Sequence, residues 1–331
     1  MAKQHDVLFY TFPCVDLIVP MQARFPVEKS TTTKILTIGN EPGGPGNTLI
    51  ASGRIGLDIV PIGAIGDDYY GQFLQSAYRS EGIDLSLLEV VPGMETPKAL
   101  VLIDQDGQHS FISMLEGTPV DSAVFEAPMQ SAKAIYLSGY MLAEPCFLKS
   151  TLDFYQQARD RGLEIFFDPG PVIAKVDPAI MDQVLAGVTV YVGNDTETGD
   201  ITGIKDDVEA ATAALCVRCP GLIVNKAGGR GCYIQRAGEE GRWYPGFNVP
   251  LVDTTAAGDS FIAGLMYGYL YGLGERATAT LANAMGAAKV RKHGSGTQVP
   301  TFDEIVSVLQ QGGYSLPDSV HTQRSFATFT L

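Results

Sequence analysis

The sequence predicts an α/β fold: a central, mostly parallel sheet sandwiched by helices, with a small accessory β-sheet. Two observations carry that expectation. From residue 134 onward short apolar runs alternate with helical segments: "AIYLSG" (134–139), a helix over 147–161, "LEIFFD" (163–168), a helix near 178–186, "VTVYVG" (188–193), a helix over 206–217 and "GLIVN" (221–225). Strands separated by helices of this length argue for parallel pairing with both sheet faces covered. The second observation is composition. The chain has 331 residues, 45% of them hydrophobic and 18% charged, which suffices for a large buried core.

Taken in order, "VLFYTF" (7–12) reads as a buried strand, "NTLIASGRI" (47–55) as a helix and "DIVPIGAIG" (58–66) as a strand. A helix is expected from Tyr69 to Ser80, ending at Glu81-Gly82. "KALVLID" (98–104) and "QHSFISM" (108–114) flank Gln105-Asp106-Gly107, and an Asp-Gly turn between alternating runs signals a hairpin. This hairpin, with strands near 7–20 and 33–38, falls outside the strand–helix alternation and is assigned to the accessory sheet. "GCYIQ" and "GRWYPGFNVPLV" (241–252) read as a hairpin ahead of a long helix after 259. Helices over about 275–291 and 302–310 complete a single domain of residues 1–311. Residues 312–331 are expected to form an irregular tail.

Charge narrows the function. The formal net charge is −14, which repels phosphate backbones and makes nucleic acid and anionic membranes poor partners. A polyphosphate ligand would need local donors and a divalent cation. The five cysteines, Cys14, Cys146, Cys216, Cys219 and Cys232, are odd in number and scattered. They read as reduced thiols in a cytoplasmic protein, with Cys216-x-x-Cys219 as packed thiols at a helix end. The start, "MAKQHDVLFYTFPCVDLIV", lacks a secretory layout. No run approaches the roughly 18–20 apolar residues of a membrane span.

The chemistry concentrates at "DTTAAGDSFIAGLM" (253–266). Asp253-Thr254 is expected to close the strand "FNVPLV" just before a helix begins. Helix starts offer unpaired N–H groups and the positive end of a dipole. Small residues at Ala256, Ala257 and Gly258 would let a phosphate reach that backbone. No P-loop sequence occurs. Asp259 is then either a first-turn acid of the ordinary capping kind or a base facing an incoming hydroxyl, with the adjacent N–H groups holding the transferring phosphoryl. Asn194 and Glu197 in "VYVGNDTETG" are either a cap or oxygen donors suited to Mg²⁺ and its waters. In "EPGGPGNTLIASGRIG", Gly43, Gly44 and Gly46 are either a turn or a close backbone approach to ligand, with Asn47 heading a helix. Asp16 is an acid inside an apolar run, either solvent-facing or a hydroxyl acceptor in a pocket.

In conjunction and order these motifs resemble the ribokinase-like (PfkB) family of carbohydrate kinases, over about residues 5–310. "DTTAAGDSFIAGLM" agrees with that family's C-terminal signature throughout. "GGPGN", followed by Gly56 and Gly66, resembles its N-terminal signature, with Leu49 where a small residue is usual. The resemblance implies an ATP-dependent kinase in which Asp259 is the base and Ala256, Ala257 and Gly258 supply the anion hole. It implies that Asn194 and Glu197 manage Mg²⁺ and the phosphates. Asp16, Gly43, Gly44 and Asn47 would hold the acceptor. "VNKAGGRG" would lie near the ATP phosphates, with Asn225 where Thr is commoner and with Gly228 and Gly231 retained. Asn283 would line the adenine pocket. Asp253 and Thr255 fall where many members bind a monovalent cation such as K⁺. The accessory sheet would be the family's lid, which often mediates homodimers. A non-catalytic sensor on this fold should have lost the base or the metal motif, yet Asp259, Asn194 and Glu197 all stand. A dinucleotide dehydrogenase would need an early G-x-G-x-x-G, which is absent.

Anionic acceptors need a cation, commonly Arg. The loop after Asp168, "DPGPVIAK", has none; Lys175 lies further along, Arg54 points away from Asn47, and Lys98 on a lid strand is the remaining candidate. The acceptor expected is therefore a small neutral sugar phosphorylated on a primary hydroxyl. A nucleoside is the alternative, with Tyr10, Phe12 or Phe111 as stacking candidates.

Overall fold

The computed structural model describes residues 5–27, 32–106, 108–114 and 117–331. Among them, one nine-stranded sheet runs in the order β13-β12-β11-β10-β9-β8-β1-β4-β5. Its strands are β1 (His5–Tyr10), β4 (Ile59–Gly66), β5 (Leu88–Val91), β8 (Ala132–Ser138), β9 (Glu164–Asp168), β10 (Val190–Asn194), β11 (Leu222–Lys226), β12 (Cys232–Arg236) and β13 (Arg242–Tyr244). Pairing is parallel from β5 through β11 and antiparallel over the last two pairs. The apolar, β-branched runs suit strands buried on both faces. A four-stranded sheet in the order β3-β2-β6-β7 stands apart from it. It comprises β2 (Cys14–Pro20), β3 (Gly39–Gly43), β6 (Lys98–Ile103) and β7 (His109–Met114).

The helices are α1 (Pro45–Arg54), α2 (Tyr69–Ser80), α3 (Glu126–Met129), α4 (Gly139–Ala143), α5 (Pro145–Asp160), α6 (Pro178–Leu185), α7 (Asp195–Thr202), α8 (Val208–Cys216), α9 (Ala257–Leu270), α10 (Glu275–Lys289), α11 (Phe302–Gln311) and α12 (Asp318–Gln323). They cover the large sheet on both faces and create two apolar layers. One layer joins α1, α2, α9, α10 and α11. The other joins the faces of α5 and α6 with Leu8, Ile135 and Ile223 of the strands between. No helix among the described residues is long and apolar enough to cross a membrane. All five cysteines are free thiols.

Several expectations need correction. Residues 7–10 lie at the centre of the large sheet, because Val7 to Tyr10 pair with β4 and the same strand pairs with β8; the accessory strand begins only at Cys14. Residues 33–38 contribute one bridge, Met21 to Ile35, and the strand falls at Gly39–Gly43, paired with Cys14 to Ile18. The hairpin at 98–114 is present, with Asp104 Oδ1 accepting from the N–H groups of Asp106 and Gln108; Gly107 lies outside the described residues. The segment 247–252 is not a strand. Pro245 and Pro250 carry no N–H for a ladder, and Val252 N instead donates to Val290 O at 2.7 Å. The helix expected at 206–217 is present as α8, and the separate helix α7 before it was not expected. The tail is not irregular throughout: it forms α12, and Val320, Phe326 and Phe329 are wholly buried in the first apolar layer.

Candidate active site

A cavity of ≈ 910 Å³ opens along the carboxyl ends of the central strands, between the large sheet and the lid. That end of an open parallel sheet is where strands and following helices leave backbone donors unpaired. Of the sequence-predicted residues, Asp16, Gly44, Asn47, Asn194, Glu197, Gly228, Gly231, Thr255, Ala256, Ala257, Gly258, Asp259 and Asn283 all line it. Gly43 lies directly behind Asp16: a Cβ there would fall 2.1 Å from Asp16 Oδ1, so only glycine fits. Asn225 does not line the cavity. It is fully buried and donates to Thr212 Oγ1 at 3.3 Å.

The helix start expected to form an anion hole is unusual. Ala256 is the N-cap of α9 in the left-handed region, φ 61 and ψ 11, and no side chain caps the helix. Such a conformation in a residue other than glycine costs about 1–3 kcal/mol and persists only where the surroundings enforce it. Ala257 N donates to Thr254 O at 3.1 Å. The next two N–H groups, of Gly258 and Asp259, belong to the open first turn and face the cavity end of the helix dipole. Asp259 therefore does not cap α9. Its carboxylate turns to α1, where Asn47 Nδ2 donates to Oδ2 at 3.1 Å and Thr48 Oγ1 donates to Oδ1 at 3.3 Å. Asn47 Oδ1 in turn accepts Gly296 N at 2.6 Å. Both ends of this amide are committed, so Asn47 orients Asp259.

Asp259 and Asp16 are both held above the usual carboxylate range. Burial and the neighbouring Asp168 push Asp259 up to about 6, against Lys226, Asn47 and Thr48, which favour the anion. Burial, then Asp259, pushes Asp16 up to about 7, against a hydrogen bond from Ser295. A general base works in its ionised form, so raising its pKa moves loss of activity to higher pH. The two groups interact, so the limb belongs to the pair. The value of kcat/KM is expected to fall as pH drops through about 7 to 6; a profile flat down to pH 5 would remove Asp259 as the base.

Asn194 and Glu197 form a complete capping box on α7: Asn194 Oδ1 accepts Glu197 N and Glu197 Oε2 accepts Asn194 N, both at 2.8 Å. They cap and also line the cavity. The Glu197 carboxyl is raised, first by burial, with Lys226 opposing. No cluster of three or more metal-ligating side chains occurs among the described residues. This donor set fits Mg²⁺ held through water and phosphate oxygens, the usual mode for that ion, and does not form an all-protein cage.

Sequence reasoning missed the cation of this site. Lys226 ends β11 with Nζ 3.9 Å from Asp168 Oδ1, and 3.5 Å from where a Cβ on Gly258 would lie. Asp168 is oriented by Tyr136 Oη at 3.0 Å. The signal was available in alternation: in "LIVNK", Lys226 must face opposite to Asn225. Lys175 also lines the cavity. Lys98 pairs with Glu95 at 3.2 Å, and Arg54 pairs with Glu81 and donates to Thr297 O.

The profile of the pfkB family carbohydrate kinases matches residues 11–302. The chain is 28% identical over 329 residues to a nucleoside kinase of Methanothermobacter thermautotrophicus, covering 96% of this chain and 100% of that protein. It is 26% identical over 323 residues to a 5-dehydro-2-deoxygluconokinase of Shouchella clausii, covering 94% and 97%. Its fold superposes on the structure of Arabidopsis thaliana ribokinase complexed with ribose and ATP with a TM-score of 0.79 at 20% identity, covering 94% and 100%.

Proposed function

The chain belongs to the pfkB family of carbohydrate kinases, phosphotransferases with an alcohol acceptor, and from that premise we propose that it transfers the γ-phosphoryl of ATP to a primary hydroxyl of a small neutral sugar. The observation that carries this reading is Asp259, ionised near neutrality and aimed by Asn47 and Thr48 beside an open helix start. Asp259 takes the proton of the acceptor hydroxyl. The acceptor oxygen forms its bond to the γ-phosphorus as the bond to the β–γ bridging oxygen breaks. The N–H groups at the start of α9 and the Lys226 ammonium hold the negative charge on the equatorial oxygens, which is electrostatic stabilisation by fixed groups. Asn283 and the glycines 228 and 231 line the part of the cavity assigned to the nucleotide.

Magnesium, bound with the nucleotide, would neutralise phosphate charge that this acidic chain otherwise repels. Glu197 is placed to orient the ion's waters. Glu197→Gln is expected to raise the Mg²⁺ concentration for half-maximal rate by about tenfold, the low end for loss of an outer-shell partner; a metal titration superimposable on wild type would remove that role.

Neutrality of the acceptor rests on the acids in the cavity wall, Asp16 and Glu144 among them. A nucleoside is the second reading. It is favoured by the rings of Phe111 and Tyr140, which line the cavity and are 62% and 43% exposed in its absence, since aromatic faces stack on any base. ADP release measured over neutral sugars, nucleosides, sugar acids and hexose monophosphates tests both readings. At least tenfold higher kcat/KM for an anionic acceptor, lost in Lys175→Ala, would overturn neutrality, on the scale of one charge-assisted contact, about 1.5–3 kcal/mol. The edge strand β7 leaves Phe111, Ile112 and Met114 exposed, and this apolar edge supports a homodimer through the lid. Molar mass in solution by light scattering is the check.

A further inference from the structure

The loop after α10 closes on the segment that begins the anion hole. Asp253 Oδ1 accepts from both the N and the Oγ1 of Thr255, at 2.9 and 2.7 Å. Its Oδ2 accepts Gly294 N at 2.8 Å. Val252 N and Asp253 N both donate to Val290 O. Thr255 Oγ1 is shared again, with His109 Nδ1 at 3.1 Å. A free monovalent cation at Asp253 and Thr255 would need these oxygens as ligands, together with carbonyls of the same loop. Those oxygens already take part in hydrogen bonds, and a buried ammonium reaches the same closing loop.

That cation is Lys289, the last residue of α10. Its side chain is 0% exposed, and its ammonium donates to Lys292 O, a carbonyl of the closing loop, at 3.0 Å. An unpaired buried ammonium would be very costly. Here the bond to Lys292 O, the carboxyl-terminal end of a helix dipole and the field of the Asp253 carboxylate offset part of that cost. Burial lowers the Lys289 pKa, and Asp253 opposes that shift only in part. Burial would likewise raise the Asp253 carboxyl, but the bonds from Thr255 and Gly294 and the Lys289 charge bring it below its ordinary range. The neighbouring Lys292 is occupied separately by Glu304, at 2.7 Å.

We propose that the Lys289 ammonium is a built-in substitute for a monovalent cation, a positioning residue that fixes the 253–256 segment so that turnover does not require K⁺. The inference rests on the kinase reading for its rate measurement but not for its melting measurement, so the two can fail separately. Wild-type enzyme is assayed and melted in potassium chloride and in tetramethylammonium chloride at equal ionic strength. Equal kcat and equal Tm are expected. Lys289→Met, which keeps the buried stem, and Lys289→Ala should each lose about tenfold in kcat in tetramethylammonium, on the scale of an effector coupling. K⁺ or NH₄⁺ should restore both rate and Tm, most completely in the alanine variant, where space is opened. Stimulation or thermal stabilisation of the wild type by K⁺ overturns the proposal, whatever the variants do. So do variants whose rate and melting match wild type in both salts. A wild type inactive on every acceptor but unshifted in Tm by K⁺ would defeat the kinase reading and leave this one standing.

Discussion

Asp259→Asn should retain the fold and nucleotide affinity and lose about 10²–10⁴ in kcat, the usual scale for a positioned base. The amide keeps the volume of the side chain and its place against α1. It cannot take a proton, and the donors Asn47 Nδ2 and Thr48 Oγ1 would face it without an anion to satisfy. Because no side chain caps α9 and Ala256 supplies its N-cap, stability should change little. That separation is diagnostic: a loss of Tm with normal turnover would mean that the carboxylate serves the helix and not the reaction. Single-turnover measurements with saturating nucleotide place the loss on the chemical step.

Lys226→Met should lower kcat by about 10²–10³, the cost of removing one preorganised charge-stabilising donor, with nucleotide Kd changed much less. The ammonium stands between two groups that need it at different moments. In the free protein it faces Asp168 and Glu197. Beside Gly258 it is within reach of a phosphoryl at the helix start. Removing it should also raise the pKa of Asp259, since Lys226 is the largest opposing influence on that group. The acidic limb of kcat/KM should then move to higher pH, a signature that a purely structural lysine would not give. An unchanged limb together with unchanged kcat would exclude Lys226 from the site.

What was legible in the chain follows from range. The 253–259 motif could be read because a helix start is local: small residues, an acid at the third helical position and a following apolar run specify it. The Asn194–Glu197 box is equally local, and the capping half of its two readings is the one the structure shows. Lys226 was passed over because its importance depends on which face of β11 it takes. A shift of attention by one residue, to Asn225, selects the opposite face. The strand at 39–43 reads "GNEPG", against every strand propensity; it pairs because Cys14 to Ile18 lies alongside and because Gly43 must approach Asp16. The reverse error at 247–252 came from alternating apolar residues whose prolines deny a ladder. The burial of Val320, Phe326 and Phe329 was invisible because their partners, such as Phe302 and Tyr267, lie in helices distant in sequence.

The bond from His109 to Thr255 ties the end of lid strand β7 to the loop that starts the anion hole. The small sheet therefore rests on the loop that precedes α9. If the small sheet must lift for a phosphorylated product to leave, this contact has to break first, and the bond would slow the emptying of the site. A net worth of about 0.5–1.5 kcal/mol corresponds to roughly two- to tenfold in the fraction of time the lid stands open. Residue 109 would then set residence time without touching the reacting atoms. Where lid opening and not phosphoryl transfer limits the cycle, the speed of this enzyme is written in a histidine–threonine pair far from its base in sequence.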